Sequence, residues 1–241
     1  MPRQAAIAIM ARAPHGAYAP KSRLRDGIPK EADRRDLYAA FLLDILATCR
    51  SIADVVVRVA YAPDGGTDGF ETLDLNPSDL LAQRGHDLGI RQRGVFEDLF
   101  EAGHPKVLVI GSDLPTLPVS YIEDALSQIR DSLVVLGPSE DGGYYLMGLA
   151  APRGNDPTPD LFTDIRWSTT STLEDTIRAA ENADLTVSQT APWYDIDTID
   201  GLSRLREDLT TAEHVQRAPE TARTLRRITL RCEPPQRHLL T

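Results

Sequence analysis

Short apolar runs recur along the chain, each separated from the next by a stretch of helical period, and this alternation constrains the fold more than any other feature. Ala6–Met10, Val55–Tyr61, Lys106–Ile110, Leu133–Leu136, Tyr144–Leu149 and Leu185–Val187 read as strands, four to seven residues long for the most part. Between them lies a helix over Glu31–Arg50, with Leu37, Phe41, Ile45 and Leu46 on one apolar face. Another lies within Gly85–Gly103, with Val95, Phe96, Leu99 and Phe100 as its apolar positions. Further helices are expected from Pro118 to about Arg130, over Thr170–Ala183, over Ile199–Leu209 and near Glu220–Ile228. Continuous apolar strands alternating with helices mean an α/β fold of Rossmann-like type, a mostly parallel sheet with helices on both faces. Pro63–Asp79 reads as a long loop with an edge strand near Thr72–Leu75, and Ala151–Asp160 as a second loop. No internal repeat or low-complexity linker divides the chain, so a single domain is expected over residues 1–230, followed by a polar tail over 231–241.

The bulk numbers narrow the function. A net charge of −10 disfavours a nucleic-acid partner, because phosphate backbones call for a basic face. No run approaches the ~18 apolar residues of a membrane helix. The six-residue apolar run at Ala5–Met10 is too short for a signal-peptide core. A cytoplasmic, membrane-free protein is therefore expected. Cys49 and Cys232 are the only cysteines, and the five histidines are scattered. A disulfide framework and a zinc site are both disfavoured.

In open α/β sheets the ligand lies beyond the carboxyl ends of the strands, and the residues there are chemically uneven. The first run is followed by a loop carrying Arg12, Lys21 and Arg23. Lys106–Ile110 is followed by Gly111-Ser112-Asp113. Leu133–Leu136 leads to Asp141-Gly142-Gly143-Tyr144, and the last strand to Asp195-Ile196-Asp197. One strand end is cationic and three are acidic. A polyphosphate needs positive charge and backbone N–H donors. A magnesium or manganese ion needs one or two carboxylates, with phosphate and water completing its shell. Asp113, Asp195 and Asp197 are thus candidate ligands for Mg²⁺ or Mn²⁺. Each feature has a plain structural alternative: an exposed loop, an N-cap at Asp113, a cap from Asp195 or Asp197 on the helix near Ile199, a hairpin turn at Asp141-Gly142-Gly143.

The ordered motifs carry a resemblance. Ala11 to Leu24 with Lys21-Ser22-Arg23-Leu24 is followed by Gln83, Gly85, Asp87, Leu88 and Gly89. Then come Gly111-Ser112-Asp113 with Pro115 and Leu117, the run from Gly137 to Leu149, Trp167-Ser168-Thr169, and Asp195 to Thr198. Over roughly residues 5–228 this set resembles the bacterial family known as domain of unknown function 2064, or radical-SAM/selenodomain-associated transferase 1. That family is generally read as glycosyltransferase-A-like, the fold of nucleotide-diphospho-sugar transferases. The first loop is longer here, and Ile90-Arg-Gln-Arg departs from the family's pattern. The resemblance implies a nucleotide held by Ala11, Arg12, Lys21 and Arg23 together with Gln83, Gly85, Asp87 and Leu88. It implies a metal on Asp113, and a sugar or acceptor near Gly142, Gly143, Tyr144, Trp167 and Ser168.

The expected activity is metal-dependent transfer from a nucleotide-sugar donor to a small-molecule acceptor, with Asp113 and Asp141 as catalytic groups. The Lys-Ser-Arg-Leu and Gly-Ser-Asp-Leu-Pro segments also resemble phospholactate guanylyltransferases. A nucleotidyltransferase that uses a nucleoside triphosphate and a phosphorylated small molecule therefore remains an alternative. A third is a nucleotide-binding module without turnover.

Overall fold

A computed structural model describes residues 4–15, 20–62, 66–154 and 156–232. Seven strands form one sheet: β1 (Ala5–Ala11), β2 (Val55–Tyr61), β3 (Leu80–Ala82), β4 (Lys106–Gly111), β5 (Leu133–Pro138), β6 (Tyr144–Ala150) and β7 (Thr186–Gln189). Their order is β3-β2-β1-β4-β6-β5-β7. The pairs β1–β2, β1–β4, β2–β3 and β5–β7 are parallel, whereas β6 is antiparallel to both β4 and β5. Six strands therefore point their carboxyl ends at one edge, and β6 alone returns from it.

Along β1 and β4 successive side chains enter opposite cores, which is why both strands read as unbroken apolar runs. Ile7, Ile9, Leu108 and Ile110 pack with α1 (Glu31–Arg50) and α3 (Val119–Gln128) through Leu42, Ile45, Leu46 and Ile122. Ala6, Ala8, Val107 and Val109 pack on the other face with α2 (Leu88–Glu101), through Val95, Phe96 and Leu99, and with α4 (Thr172–Asn182), through Ala180.

The single apolar face expected on α1 is in fact two. Ile45 and Leu46 meet the sheet, whereas Leu37 and Phe41 turn away into a third core. That core is completed by α5 (Ile199–Asp208) and α7 (Pro219–Cys232), the latter following the short α6 (Ala212–Arg217). Asp44 explains the docking. Its carboxylate, buried on α1, accepts from Glu220 N at 3.1 Å and Thr221 N at 2.8 Å, satisfying the first turn of α7 from a neighbouring helix. α7 continues to Cys232, two residues beyond the expected boundary, and residues 233–241 of the expected tail lie outside the described residues.

The edge strand expected near Thr72–Leu75 is not there. Asp68–Leu73 forms 3₁₀ turns, and the strand is Leu80–Ala82, paired with Val59–Tyr61. Asn76 and Asp79 cap each other across Pro77, so the chain turns once more before it joins the sheet.

β7 lies at the far edge, with β5 and β6 between it and β4, yet the segment after it runs back along the carboxyl ends. Trp193 N donates to Pro138 O at 3.0 Å, Glu140 N to Trp193 O at 3.2 Å, and Ile196 N to Asp113 O at 3.1 Å. These backbone bonds bring Asp195 and Asp197 to the end of β4.

Candidate active site

Lys21 is the centre of charge. Its backbone is left-handed, at φ 57°, and its side chain is only 4% exposed. The ammonium donates to Asp113 Oδ1 at 2.7 Å, to Asp197 Oδ1 at 2.6 Å and to Ile196 O at 2.9 Å. The rings of Tyr38 and Phe41, each 5.8 Å away, wall it from water. Burial alone would lower the Lys21 pKa, but the two carboxylates outweigh it and hold the amine charged. Burial raises the Asp113 carboxyl, with Lys21 opposing, while Lys21 and Arg23 draw Asp197 below its usual value against its burial. Tyr38 ties the group together: its hydroxyl accepts from Arg12 N at 3.0 Å and lies 3.0 Å from Ser112 Oγ.

Among the described residues, the second acidic pair, Asp195 and Asp141, has no such cation. Asp195 is half-buried, and its carboxyl is pushed up to about 6 by burial and by the charges of Asp197, Asp141 and Asp113. Asp113, Asp141 and Asp195 line a cleft of about 190 Å³ with Tyr144, Trp167 and Ser168.

The floor of this cleft is rigid. Gly142, at φ 88°, packs on the Thr170 backbone so closely that an added Cβ would stand 2.3 Å from Thr170 O. The Asp141 carboxylate folds back to accept from Gly143 N at 3.0 Å. Trp167 lies edge-on to Tyr144, centroids 6.4 Å apart, and against Gly89 at the start of α2, where a Cβ would approach its ring to 2.9 Å. Asp175 on α4 fixes the Trp167 segment by accepting twice from the Arg166 guanidinium, at 2.8 Å each, and once from Arg166 N at 3.1 Å. The Tyr144 hydroxyl donates to Gln92 Oε1 at 2.9 Å.

The segment expected to hold a nucleotide is largely occupied with structure. Gln83 is buried and donates to Ala60 O at 2.6 Å, closing the ends of β1 and β2. Asp87 is the N-cap of α2, accepting from Ile90 N at 2.8 Å. Gly85, at φ 114°, makes the turn before it. Leu88 is 40% exposed and reaches the cleft. Ala11 ends β1, the Arg12 side chain is exposed, and Arg23 is exposed with a nitrogen 3.9 Å from Asp197. Residues 16–19 of the first loop lie outside the described residues. The cap on α5 comes from Thr198, whose hydroxyl accepts from Gly201 N at 3.2 Å, and not from Asp195 or Asp197.

The expected metal set is only partly assembled. Among the described residues no three acidic, histidine or cysteine side chains enclose a common point. Asp113 and Asp197 do converge, and the Lys21 ammonium between them marks a position that fits one cation. A two-carboxylate site of this kind suits magnesium, which takes its remaining ligands from phosphate and water. Sequence reasoning missed Tyr38, Gln92 and Asp175. Tyr38 and Gln92 lie inside helices and Asp175 in the first turn of α4, none in a motif of the site, and only the partner that the fold brings to each gives it a role.

Comparison with known proteins adds the following. The sequence model of a family described as uncharacterized proteins conserved in bacteria (DUF2064) matches residues 45–169. A crystal structure described as a candidate nucleotide-diphospho-sugar transferase from Desulfovibrio desulfuricans G20 is similar at 28% identity and TM-score 0.80, covering 94% of this chain and 95% of that one. A cytidylyltransferase from Leptospira borgpetersenii serovar Hardjo-bovis shares the fold at 14% identity and TM-score 0.54, over 94% and 96% of the two chains. So does a 4-diphosphocytidyl-2C-methyl-D-erythritol synthase from Anaerococcus prevotii, at 11% identity and TM-score 0.51, over 86% and 97%. No curated protein matches the chain.

Proposed function

Because the chain belongs to the DUF2064 family of uncharacterized bacterial proteins, we propose an activity from its site: transfer of a sugar from a nucleotide-sugar donor to a small-molecule acceptor. The observation that carries this is the cleft itself. It sets the Trp167 ring, with Tyr144 edge-on to it, beside the carboxylates of Asp113, Asp141 and Asp195. An apolar face backed by hydrogen-bonding oxygens is what a pyranose ring presents to and requires of a binding site. At about 190 Å³ the cleft has room for a sugar-sized group. The nucleotide part extends towards the carboxyl end of β1, where Ala11 and Arg12 stand. The nearly full-length likeness to the Desulfovibrio protein supports a nucleotide-sugar donor.

Within this reading Asp195 takes the acceptor's proton, since a carboxyl near 6 is a better base at neutral pH than an ordinary one. Asp141, held by Gly143 N, orients the acceptor. Trp167, fixed through Arg166 and Asp175, stacks on the sugar. Asp113 and Asp197 would hold a magnesium or manganese ion, whose chemistry is to neutralise charge on the departing diphosphate. Without that ion Lys21 holds those two carboxylates together, and Arg23, with a nitrogen 3.9 Å from Asp197, adds positive charge beside them.

The test is a paired product assay with a panel of nucleotide-sugars and, separately, nucleoside triphosphates. Release of nucleoside diphosphate that depends on a sugar-bearing donor is expected. Pyrophosphate release from triphosphates alone would overturn the reading in favour of nucleotidyl transfer.

A further inference from the structure

Lys21 does more than neutralise. Its ammonium stands 2.7 Å from Asp113 Oδ1 and 2.6 Å from Asp197 Oδ1, on the two carboxylates that would hold a divalent ion. Two cations drawn to one pair of carboxylates repel each other, and at such separations the repulsion reduces what either gains. We propose that Lys21 and a divalent metal ion compete for the Asp113–Asp197 pair, and that an anionic diphosphate shifts the balance by giving the displaced ammonium a new partner. The second half rests on the reading of the site as one for a nucleotide donor; the first half does not.

Three observations carry the competition. The lysine is buried, so its charge cannot simply turn to water when displaced. Its remaining partner, Ile196 O at 2.9 Å, is a neutral carbonyl that does not replace a carboxylate. The neighbouring Tyr38 and Phe41 rings offer only a weak cation–π contact at 5.8 Å. Among the described residues in contact with it, an ammonium driven from the pair therefore has no further carboxylate to turn to. A phosphate group arriving at the carboxyl end of β1 supplies one. Metal and diphosphate are then linked: each is bound better when the other is present, and Lys21 transmits the effect. The linkage requires no movement of the sheet, only the exchange of one ammonium between two anions.

The experiment titrates Mn²⁺ into the full chain, native and Lys21→Met, by calorimetry or by loss of the free-ion electron spin resonance signal. Methionine keeps the length and removes the charge. Without nucleotide, Lys21→Met is expected to bind Mn²⁺ at least tenfold more tightly than the native chain. Lys21→Arg, which retains the cation, is expected to bind it as weakly as the native chain. With a saturating nucleoside diphosphate the gap between native and Lys21→Met is expected to close. Chelation of Mn²⁺ by the nucleotide in solution is common to both proteins and drops out of the comparison.

Equal Mn²⁺ affinities for native and Lys21→Met without nucleotide would overturn the competition. A gap that persists with the diphosphate would overturn the handover. Should Lys21→Met be unfolded in chelator, its melting is followed with and without Mn²⁺. Recovery by Mn²⁺ of that variant and not of the native chain supports the competition, and no recovery overturns it. A native chain that binds no nucleotide while the Mn²⁺ difference stands would sink the donor reading and leave the competition intact.

Discussion

Two pairs of aspartates share one strand edge but live under opposite conditions. Asp113 and Asp197 grip a buried ammonium, and the charge of each is offset by Lys21. Asp195 and Asp141 line the open cleft a few residues away, and Asp195 feels three other carboxylates with only a distant share of the same lysine. The first pair holds together three segments remote in sequence: the loop after β1, the end of β4 and the return after β7. The second pair holds nothing together beyond a hairpin turn. A carboxylate paired with a buried cation must part from it to meet a ligand, whereas one raised in a cleft without such a partner is available directly.

Substitutions should therefore act in opposite senses on the two pairs. The largest effect is expected at Asp195. Asp195→Asn keeps the shape and removes the base, and kcat for transfer should fall by about 10²–10⁴-fold. Steady-state assay of nucleoside diphosphate release measures it. The same variant should unfold no more easily than the native chain, and loss of stability would mean that Asp195 belongs with the structural pair.

Lys21→Met should do the reverse to stability. It leaves two carboxylates, 28% and 39% exposed, facing each other, and because water reaches both the loss should fall below the about 3–5 kcal/mol typical of a fully buried pair. Urea titrations of both proteins in chelator at neutral pH give the difference. A loss below about 1 kcal/mol would show that the Asp113–Lys21–Asp197 group is not a clamp.

The pH dependence sharpens the contrast further. Asp195 has a folded value of about 6 against an ordinary 3.8, so the folded chain binds more protons than the unfolded one between these values. Stability from this group is full below about pH 4 and is lost as pH rises through about 6, by about 1–2 kcal/mol given an open cleft. Asp195→Asn should remove that slope and be more stable than the native chain at pH 7. Thermal melts from pH 4 to 7 compare the two, and parallel curves would mean that Asp195 titrates normally.

The smallest effect is expected at Arg23, whose side chain is 74% exposed and 3.9 Å from Asp197. Arg23→Ala should change stability by less than about 1 kcal/mol and weaken donor binding only at low salt. A large loss of binding at high salt would make Arg23 a direct, desolvated phosphate contact.

Much of the fold was legible because burial on both faces of a strand leaves a mark in the sequence. β1, β4, β5 and β6 are found within about a residue or two of their apolar runs. What was misplaced lacked that mark. β3 has only three residues, partly exposed, and its register is set by pairing with β2 and not by any apolar pattern of its own. The face of α1 was read as one stripe because Leu37 and Phe41 share helical spacing with Ile45 and Leu46. Only the docking of α5 and α7 divides them between two cores. In the site, Asp113, Asp141 and Asp195 were found as acidic residues just past apolar runs, and the structure gathers all three in one cleft. Gln83 and Asp87 stand in a motif whose resemblance implies nucleotide contacts, and in the structure their side chains close strand ends and cap a helix. Motif spacing cannot distinguish a polar side chain turned to the backbone from one turned to a ligand.

The sequence by itself determined the alternation of strands and helices, the edge at which polar chemistry gathers and the residue types available there. Those properties follow from local periodicity and from the rule that parallel strands share one carboxyl edge. The tertiary structure decided which charges meet. Lys21 and Asp197 are 176 positions apart and are joined at 2.6 Å only because the segment after β7 doubles back past β5 and β6 to the end of β4. Coulomb energy depends on distance in space and on burial, and neither is written in the order of residues. The same four aspartates could have been paired differently by another return path, with another residue left raised in the cleft.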